Sequence, residues 1–259
     1  MFPVLQIGHV ALQTPGLILI LGLWMGLDLA ERYFRKLGLQ PSKAYTLVTI
    51  GLVAAVVGGR LSYTAENFSA FAASPASLIS LNLNLWDLPA GVILGLAASI
   101  GYGLRHKMDF WSLLDSLTPS FAVMMIALAL ANLASGSAFG EPARLPWSIF
   151  LWGEWRHPSQ VYETLGAVSV LIWVLARASP LNPNNPLRPA AGALFLEFVA
   201  WSAAWRIFLE MFRGDGSLLF GQIRAAQVVA WIILALALFF RGKRTVQTST
   251  GSQAETPLV

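Results

Sequence analysis

The chain has no cysteine among its 259 residues. Disulfide bridges and thiolate metal sites are therefore excluded, and so is a cysteine nucleophile supplied by the protein itself. Any thiol in its chemistry must arrive with a substrate. Nothing else in the sequence indicates a bound ion, so we expect no metal site and no cofactor.

Charged residues are also scarce, at 12% of the chain against about 25% in a typical soluble domain. Hydrophobic residues make up 56%, and the mean hydropathy is +0.63. This composition predicts an integral membrane protein. The basic residues form no run or stripe, so nucleic-acid binding is not indicated. No basic segment precedes the first apolar run, so we expect no cleaved signal peptide.

Apolar stretches recur seven times, and a spanning helix needs about 20 such residues. They lie at 15–31, 44–63, 88–104, 113–133, 160–177, 190–212 and 222–240. The sequence predicts an all-α integral membrane protein of about seven transmembrane helices. We expect a single transmembrane domain over 1–241 and a polar cytoplasmic tail over 242–259. A Pro/Asn-rich linker at 179–189 separates spans five and six.

Lysine and arginine predict the orientation, because short cytoplasmic loops are enriched in both. One set of alternate loops contains all four lysines together with Arg32, Arg35, Arg105, Arg177, Arg188, Arg241 and Arg244. The opposite face has arginine only. We therefore expect a cytoplasmic C-terminus, with the N-terminus outside.

This topology brings three polar stretches to the outer face: GGRLSY at 58–63, EWRHPSQVYE at 154–163 and RIFLEMFR at 206–213. Arg206, Glu210 and Arg213 have helical spacing, which predicts one stripe with the carboxylate between two guanidinium groups and positive charge to spare. Guanidinium binds phosphate through a planar fork. We expect Arg206, Arg156, Arg60 and His157 to line one cavity that binds a phospholipid phosphate. The simpler alternatives are a structural ion pair for Arg206 and a helix-entry role for His157.

These stretches resemble the prolipoprotein diacylglyceryl transferase family over nearly the whole chain. WRHPSQVYE is the most specific match, and IGHVALQTPGL, VVGGRLSY, DSLTPS, WRIFLEMFR and RAAQVVA follow the family's order. The resemblance implies seven spans in a bacterial inner membrane, with an active face towards the outer leaflet. It also implies two partners, phosphatidylglycerol and the lipobox cysteine of a prolipoprotein. The thiolate would attack a glyceryl carbon, form a thioether and release glycerol phosphate.

The resemblance assigns site residues by motif. Among these residues we expect Arg206 to hold the phosphate and His157 or Glu163 to substitute for the family's base, so the catalytic candidates are His157, Arg206 and Glu163. The binding candidates are Arg60, Tyr63, Asn132, Arg156, Gln160, Tyr162, Glu210 and Arg213.

Three family positions that carry a charge or a histidine are replaced, and the tyrosine of the family's first-span motif falls at Pro15. The family's histidine falls at Pro89, its signature arginine at Ala129 and its glutamate at Ser137. Two hypotheses therefore stay open: a divergent transferase, or a non-catalytic relative that binds membrane phospholipid or lipoproteins. A transporter is a third reading, for which the spans show no buried charge relay.

Overall fold

The computed structural model describes residues 4–7, 10–79, 87–178, 190–219 and 223–254. Each predicted apolar window coincides with a helix of at least 17 residues. In chain order the helices are α1 (Thr14–Lys36), α2 (Pro41–Glu66), α3 (Phe68–Ala73), α4 (Leu88–Arg105), α5 (Phe110–Ser135), α6 (Ser159–Arg177), α7 (Ala193–Leu209) and α8 (Ala225–Ala254). A 3₁₀ turn at Pro75–Ile79 follows the short helix α3.

Five of these helices are long and apolar enough to cross a membrane: α1, α2, α5, α6 and α8 as far as Arg244. The prediction of a mostly helical membrane protein is thereby confirmed. Helix α8 runs on to Ala254, into the predicted tail. The predicted linker at 179–189 and the last residues, 255–259, lie outside the described part of the chain.

Several helix ends follow from local residue chemistry. Asp87 and Asp109 precede α4 and α5, and their carboxylates accept hydrogen bonds from the backbone N–H groups of Ala90 (3.1 Å) and Ser112 (2.8 Å). These N–H groups have no partner within the helix, so each cap satisfies one. At the other end of α5, Gly136 adopts a left-handed φ of 79°, which ends the helix.

Small residues allow the helices to approach closely. A Cβ atom at Gly59 of α2 would lie 2.7 Å from the backbone oxygen of Asp87, and one at Gly91 of α4 would lie 2.7 Å from that of Ala55. Between α1 and α5, the Ser120 hydroxyl donates to the Gly26 carbonyl at 2.6 Å. Such contacts matter in a bilayer, where packing and hydrogen bonds rather than water exclusion hold helices together.

Two clusters of buried apolar side chains centre on α1 and α5. One joins them to α6 and α7 through residues such as Tyr33, Val174 and Phe198. The other joins them to α2 through Phe34, Leu47 and Leu117. Helix α4 packs mainly on α2, and α8 mainly on α7.

The bundle has two chemically different ends. The ends of α6 and α8 meet the start of α7 through Arg177, Arg241 and Glu197. We call this the basic end, because the lysine-bearing loops belong to it. The opposite end holds the start of α6 and the end of α7, and we call it the site end.

Two short hairpins lie at the site end: β3 (Ile149–Leu151) with β4 (Glu154–Arg156), and β5 (Leu218–Leu219) with β6 (Ile223–Arg224). A third, β1 (Val4–Ile7) with β2 (Val10–Gln13), leads into α1. Backbone hydrogen bonds also join residues 137–143 to segments 155–157 and 212–214. The Glu141 N–H donates to the Phe212 carbonyl and the His157 N–H to the Glu141 carbonyl, both at 2.9 Å. We call these three segments the loop layer.

Candidate active site

A cavity of about 150 Å³ lies between α5, α6 and α7 at the site end. Its charged lining consists of Glu163 from α6, Arg206 from α7 and Arg213 just beyond α7. Asn132 of α5 also lines it, and most of the remaining wall is apolar. This space, which we call the Arg206 cavity, brings four of the predicted site residues together.

Glu163 bridges the two arginines. Its Oε1 accepts a hydrogen bond from Nη1 of Arg213 at 2.6 Å and lies 3.4 Å from Nη1 of Arg206. The side chains of Glu163 and Arg213 are each 12% exposed, whereas that of Arg206 is 38% exposed. Charge-assisted hydrogen bonds are stronger in such a poorly solvated place. The cavity wall therefore already holds one anionic oxygen between two guanidinium groups.

Glu210 lies behind Arg206. Its Oε2 is 3.0 Å from Nη2 of Arg206, and its side chain is 1% exposed. The predicted pair of Arg206 and Glu210 is thus confirmed, but the predicted stripe with Arg213 is wrong. Helix α7 ends at Leu209, a 3₁₀ turn covers Glu210–Phe212, and Arg213 has an extended backbone. The carboxylate between the two guanidinium groups is consequently Glu163, from a different helix.

Arg213 also forms a two-pronged pair with Asp215, at 2.9 Å from Nε and 2.8 Å from Nη2. Burial alone would lower the pKa of Arg213, but the hydrogen bond to Asp215 and the charge of Glu163 outweigh it and raise that pKa above its usual value. Arg213 stays charged, and its guanidinium group is fully engaged in ion pairs.

Sequence reasoning gave Arg224, Glu141 and Asp215 no part in this site. Arg224 forms an ion pair with Glu141 of the loop layer, and it donates to the Arg213 carbonyl. Among the described residues, the network contains three guanidinium groups and four carboxylates, so its formal charge is −1. The predicted surplus of positive charge is therefore wrong. Asp215 lies only two residues after Arg213, and this spacing was the one feature of the sequence that could have indicated an added negative charge.

The EWRHPSQVYE stretch mainly attaches the start of α6 to the loop layer. Arg156 donates to the carbonyls of Gly140 and Leu151, both at 3.2 Å, and pairs with Glu154 at 2.6 Å. Its guanidinium group also lies 4.9 Å from the ring centre of Phe139. Arg156 thus contacts the loop layer and the β3–β4 hairpin.

The next polar residues of this stretch continue the attachment. Ser159 donates to the Ala138 carbonyl at 2.6 Å, and Gln160 donates to the Ser137 carbonyl at 2.8 Å. Both side chains are buried. Gly140 has a related role, because a Cβ there would overlap the backbone oxygen of His157. These bonds set the position of the start of α6, the helix that bears Glu163.

His157 and Tyr162 pack against the 3₁₀ turn that follows α7. The His157 ring lies 5.3 Å from that of Phe212 and 6.2 Å from that of Tyr162. The Tyr162 hydroxyl accepts a hydrogen bond from the indole N–H of Trp147 at 2.7 Å. Among the described residues, the buried Nδ1 of His157 has no hydrogen-bond partner.

Arg60 and Tyr63 belong to a different part of the fold. Arg60 donates to the Ser77 carbonyl, and its guanidinium group lies 5.5 Å from the Phe71 ring centre. The Tyr63 ring meets the same phenylalanine edge to face at 6.1 Å. Both residues therefore organise the connection between α2 and α4. The expectation that Arg60, Arg156 and His157 line one cavity with Arg206 is wrong.

The three residues that replace the family's charged and histidine positions lie in different parts of the structure. Ala129 lines the Arg206 cavity, so the family's arginine at this position would add a basic side chain to the cavity wall. Ser137 lies in the loop layer, where its hydroxyl is 3.0 Å from that of Ser135. Pro89 occupies the first turn of α4, where a missing N–H costs little.

Asp115 of the DSLTPS segment sets the start of α7. It is 1% exposed, and its carboxylate accepts hydrogen bonds from the N–H groups of Gly192 (2.7 Å) and Phe195 (2.9 Å). A carboxylate at a helix N-terminus is stabilised by the helix dipole and satisfies unpaired donors. This contact helps to fix the position of α7, which carries Arg206.

Comparison with known proteins places the chain in a defined group. Residues 3–241 match the family model described as prolipoprotein diacylglyceryl transferase. The phosphatidylglycerol–prolipoprotein diacylglyceryl transferase of Synechococcus elongatus is 26% identical over 246 residues, which cover 90% of this chain and 83% of that relative. The protein of the same name from Synechocystis sp. is 28% identical over 244 residues, covering 89% and 84%. The one from Bacillus cereus is 27% identical over 248 residues, covering 91% and 89%.

Proposed function

The chain belongs to the prolipoprotein diacylglyceryl transferase family, and from that premise we propose that it transfers a diacylglyceryl group from phosphatidylglycerol to the lipobox cysteine thiol of prolipoproteins. The absence of cysteine from the chain fits, because the nucleophile arrives with the prolipoprotein. The observation that carries the proposal is the anionic oxygen held between Arg206 and Arg213 on the wall of a cavity.

The reaction makes two chemical demands. The cysteine sulfur forms a bond to the glyceryl carbon that bears the phosphate, and that carbon's bond to the phosphate oxygen breaks with its electron pair. Glycerol phosphate leaves, so fixed positive charge must stabilise the departing oxygen. The thiol proton must pass to a base.

We place the phosphate at the position now occupied by Oε1 of Glu163. The network already has a formal charge of −1, so a further anion would bind best by exchange with a carboxylate. The contact of 3.4 Å between Glu163 and Arg206 is the longer of its two contacts, which favours exchange at Arg206. Arg206, at 38% exposed, is also the guanidinium group of the pair more open to a ligand.

This exchange favours Glu163 as the base. Once phosphate takes its place, its carboxylate would turn into the cavity beside the glyceryl carbon and accept the thiol proton. Glu163 lines the cavity, whereas His157 contacts Phe212, Tyr162 and the loop layer. We assign His157, Arg156, Gln160 and Tyr162 to positioning α6, Glu210 to holding Arg206, and Asn132 to substrate binding. Arg60 and Tyr63 would support the connection between α2 and α4.

The surroundings proposed for this site follow from the charge pattern. We propose seven membrane spans, with α4 and α7 completing the five long apolar helices. The basic end would face the cytoplasm of a bacterial inner membrane, and the site end would face the outer leaflet. Residues 1–241 would form a single transmembrane domain and 242–259 a cytoplasmic tail. The substrate phosphate would then reach the Arg206 cavity at headgroup depth.

The test is a transfer assay with the purified chain in vesicles that contain phosphatidylglycerol and a lipobox peptide. We expect mass spectrometry to detect the peptide carrying a diacylglyceryl thioether. A peptide in which serine replaces the lipobox cysteine should give no product. The variant Arg144→Ala removes an exposed arginine from the same end of the bundle and should leave the rate within about twofold.

Two results would overturn the proposal. The absence of thioether from a chain that still binds phosphatidylglycerol would leave a lipid-binding protein, the alternative that the replaced family positions raise. A thioether formed equally from phosphatidylcholine would contradict the role given to phosphatidylglycerol.

A further inference from the structure

A second polar groove lies at the basic end, at the far end of the bundle from the Arg206 cavity. It has a volume of about 420 Å³ and is formed by α6, α7 and α8. Arg177, Glu197 and Arg241 line its polar part, and Trp173, Trp201 and Leu238 are among its apolar wall. We call it the basic groove, and the proposed reaction makes no use of it.

Two arginines share one carboxylate in this groove. Glu197 pairs with Nε of Arg241 at 2.8 Å and with Nε of Arg177 at 3.5 Å. The Glu197 side chain is 13% exposed, whereas those of Arg177 and Arg241 are 58% and 42% exposed. The acid is therefore covered while both guanidinium groups remain accessible to a ligand.

The surrounding sequence is strongly basic. Segments 173–204 and 231–244, which contain all the lining residues, have Glu197 as their one acidic residue. Their basic residues are Arg177, Arg188, Arg241, Lys243 and Arg244. This balance attracts an anion to the membrane surface at this end.

The apolar part of the groove suits a lipid. The Trp173 and Trp201 rings lie 6.0 Å apart, and Arg177 stacks 5.8 Å from the Trp173 ring centre. Trp201 of α7 is 48% exposed and Leu238 of α8 is 51% exposed, and both helices are among the spans proposed above. Tryptophan is enriched where a membrane protein meets lipid headgroups. The groove thus pairs a phosphate-binding end with an apolar wall for an acyl chain.

We propose that the basic groove binds an anionic phospholipid from the leaflet at the basic end, with Arg177 and Arg241 on the phosphate. Basic pockets between membrane helices are a recurring site for such headgroups. A free phosphate would not use the tryptophan and leucine wall, so the lipid is the occupant that uses both halves. Because α7 and α8 form the groove, its occupancy bears on the helix that carries Arg206.

The test is native mass spectrometry of the full chain in detergent with added phosphatidic acid or phosphatidylcholine of the same acyl chains. Phosphatidic acid lacks the glycerol headgroup, so it differs from the substrate proposed for the Arg206 cavity. We expect it to bind at least tenfold more tightly than phosphatidylcholine. The variant Arg241→Gln should weaken its binding by about tenfold or more, because it removes a charge-assisted bond.

Three variants make the result decisive. Glu197→Gln should strengthen binding by about two- to fivefold, since the carboxylate competes for the same guanidinium groups. Leu234→Trp fills the groove without altering charge and should weaken binding as Arg241→Gln does. The control Arg32→Gln removes an arginine that pairs with Asp28 at 2.7 Å on an exposed face of α1, at the same end, and should change nothing.

Several outcomes would overturn the proposal. They are equal binding of the two lipids, weaker binding in Glu197→Gln, or the same loss in Arg32→Gln as in Arg241→Gln. If Arg241→Gln does not fold, the comparison of Leu234→Trp with the unaltered chain decides. Arg206→Ala should retain phosphatidic acid binding, because Arg206 lies in the other cavity. Binding at the basic groove can therefore be tested even if the transferase proposal fails.

Discussion

Arg206→Ala is the substitution that tests the proposed site most directly. In the unaltered chain, Arg206 faces the cavity with 38% of its side chain exposed and contacts Glu163 and Glu210. Removing one preorganised group that stabilises developing negative charge costs about 100- to 1000-fold in kcat. We expect the transfer rate to fall by that factor, because Arg213 is the one other basic residue among the described residues that line the cavity, and it is already paired with Glu163 and Asp215.

The same substitution also affects stability, and the two effects have to be separated. Glu210 is 1% exposed, and Arg206 is its ion-pair partner. Removing one member of a buried pair leaves an uncompensated charge at a cost of about 3–5 kcal/mol, which we reduce to about 2 kcal/mol because Arg206 is partly exposed. Reversible unfolding in detergent micelles measures this loss.

The double variant Arg206→Ala/Glu210→Gln separates the two contributions. It removes the stranded carboxylate, so we expect most of the lost stability to return while the transfer rate stays about 100-fold low or lower. Both quantities are measured on the same preparation, by unfolding and by the thioether assay. Recovery of activity together with stability would refute the reasoning, because Arg206 would then be only the structural partner of Glu210.

Three further predictions follow from single contacts. Glu163→Gln should lower kcat by about 100-fold or more, because it removes the base. The KM for phosphatidylglycerol should stay the same or fall, because the variant also removes a competitor for Arg206. A rise in KM with unchanged kcat would contradict both roles. Asp115→Asn should cost about 2 kcal/mol of unfolding free energy, because one of the two N–H groups at the start of α7 loses its acceptor; unchanged unfolding in micelles would exclude this anchoring role. Gly59→Ala should cost about 1–3 kcal/mol of unfolding free energy, since its Cβ would lie 2.7 Å from the Asp87 backbone oxygen. In the control Gly101→Ala on α4, the added Cβ meets nothing within 4 Å and should not destabilise the chain.

Local features of the sequence were sufficient for the helices. Apolar runs of spanning length, proline in first turns and caps such as Asp109 depend on residues a few positions apart, so the seven long helices appear where the pattern predicts them. The pair of Arg206 with Glu210 is of the same kind, because i and i+4 face each other on any helix. The sequence also supported the family resemblance through its motifs, and the match over residues 3–241 confirms the family.

The end of α7 shows where local reasoning failed. Helical spacing predicts that Arg213 continues the stripe of Arg206, but the chain leaves the helix after Leu209. The N–H of Glu141 binds the carbonyl of Phe212, and that of Gly214 binds the carbonyl of Phe139. These bonds join residues about 70 positions apart, and no periodicity within α7 reports them.

Contacts between residues distant in sequence also decided which side chains form the site. The sequence by itself determined a cysteine-free, mostly helical membrane protein with arginines and carboxylates concentrated in a few motifs. Only the tertiary structure decided that Glu163 lies between Arg206 and Arg213, that Arg156 and Gln160 hold the loop layer, and that Arg60 lies apart. The physical reason is that helix formation depends on neighbours in sequence, whereas an ion network depends on the positions of separate helices, which packing and loop hydrogen bonds set together.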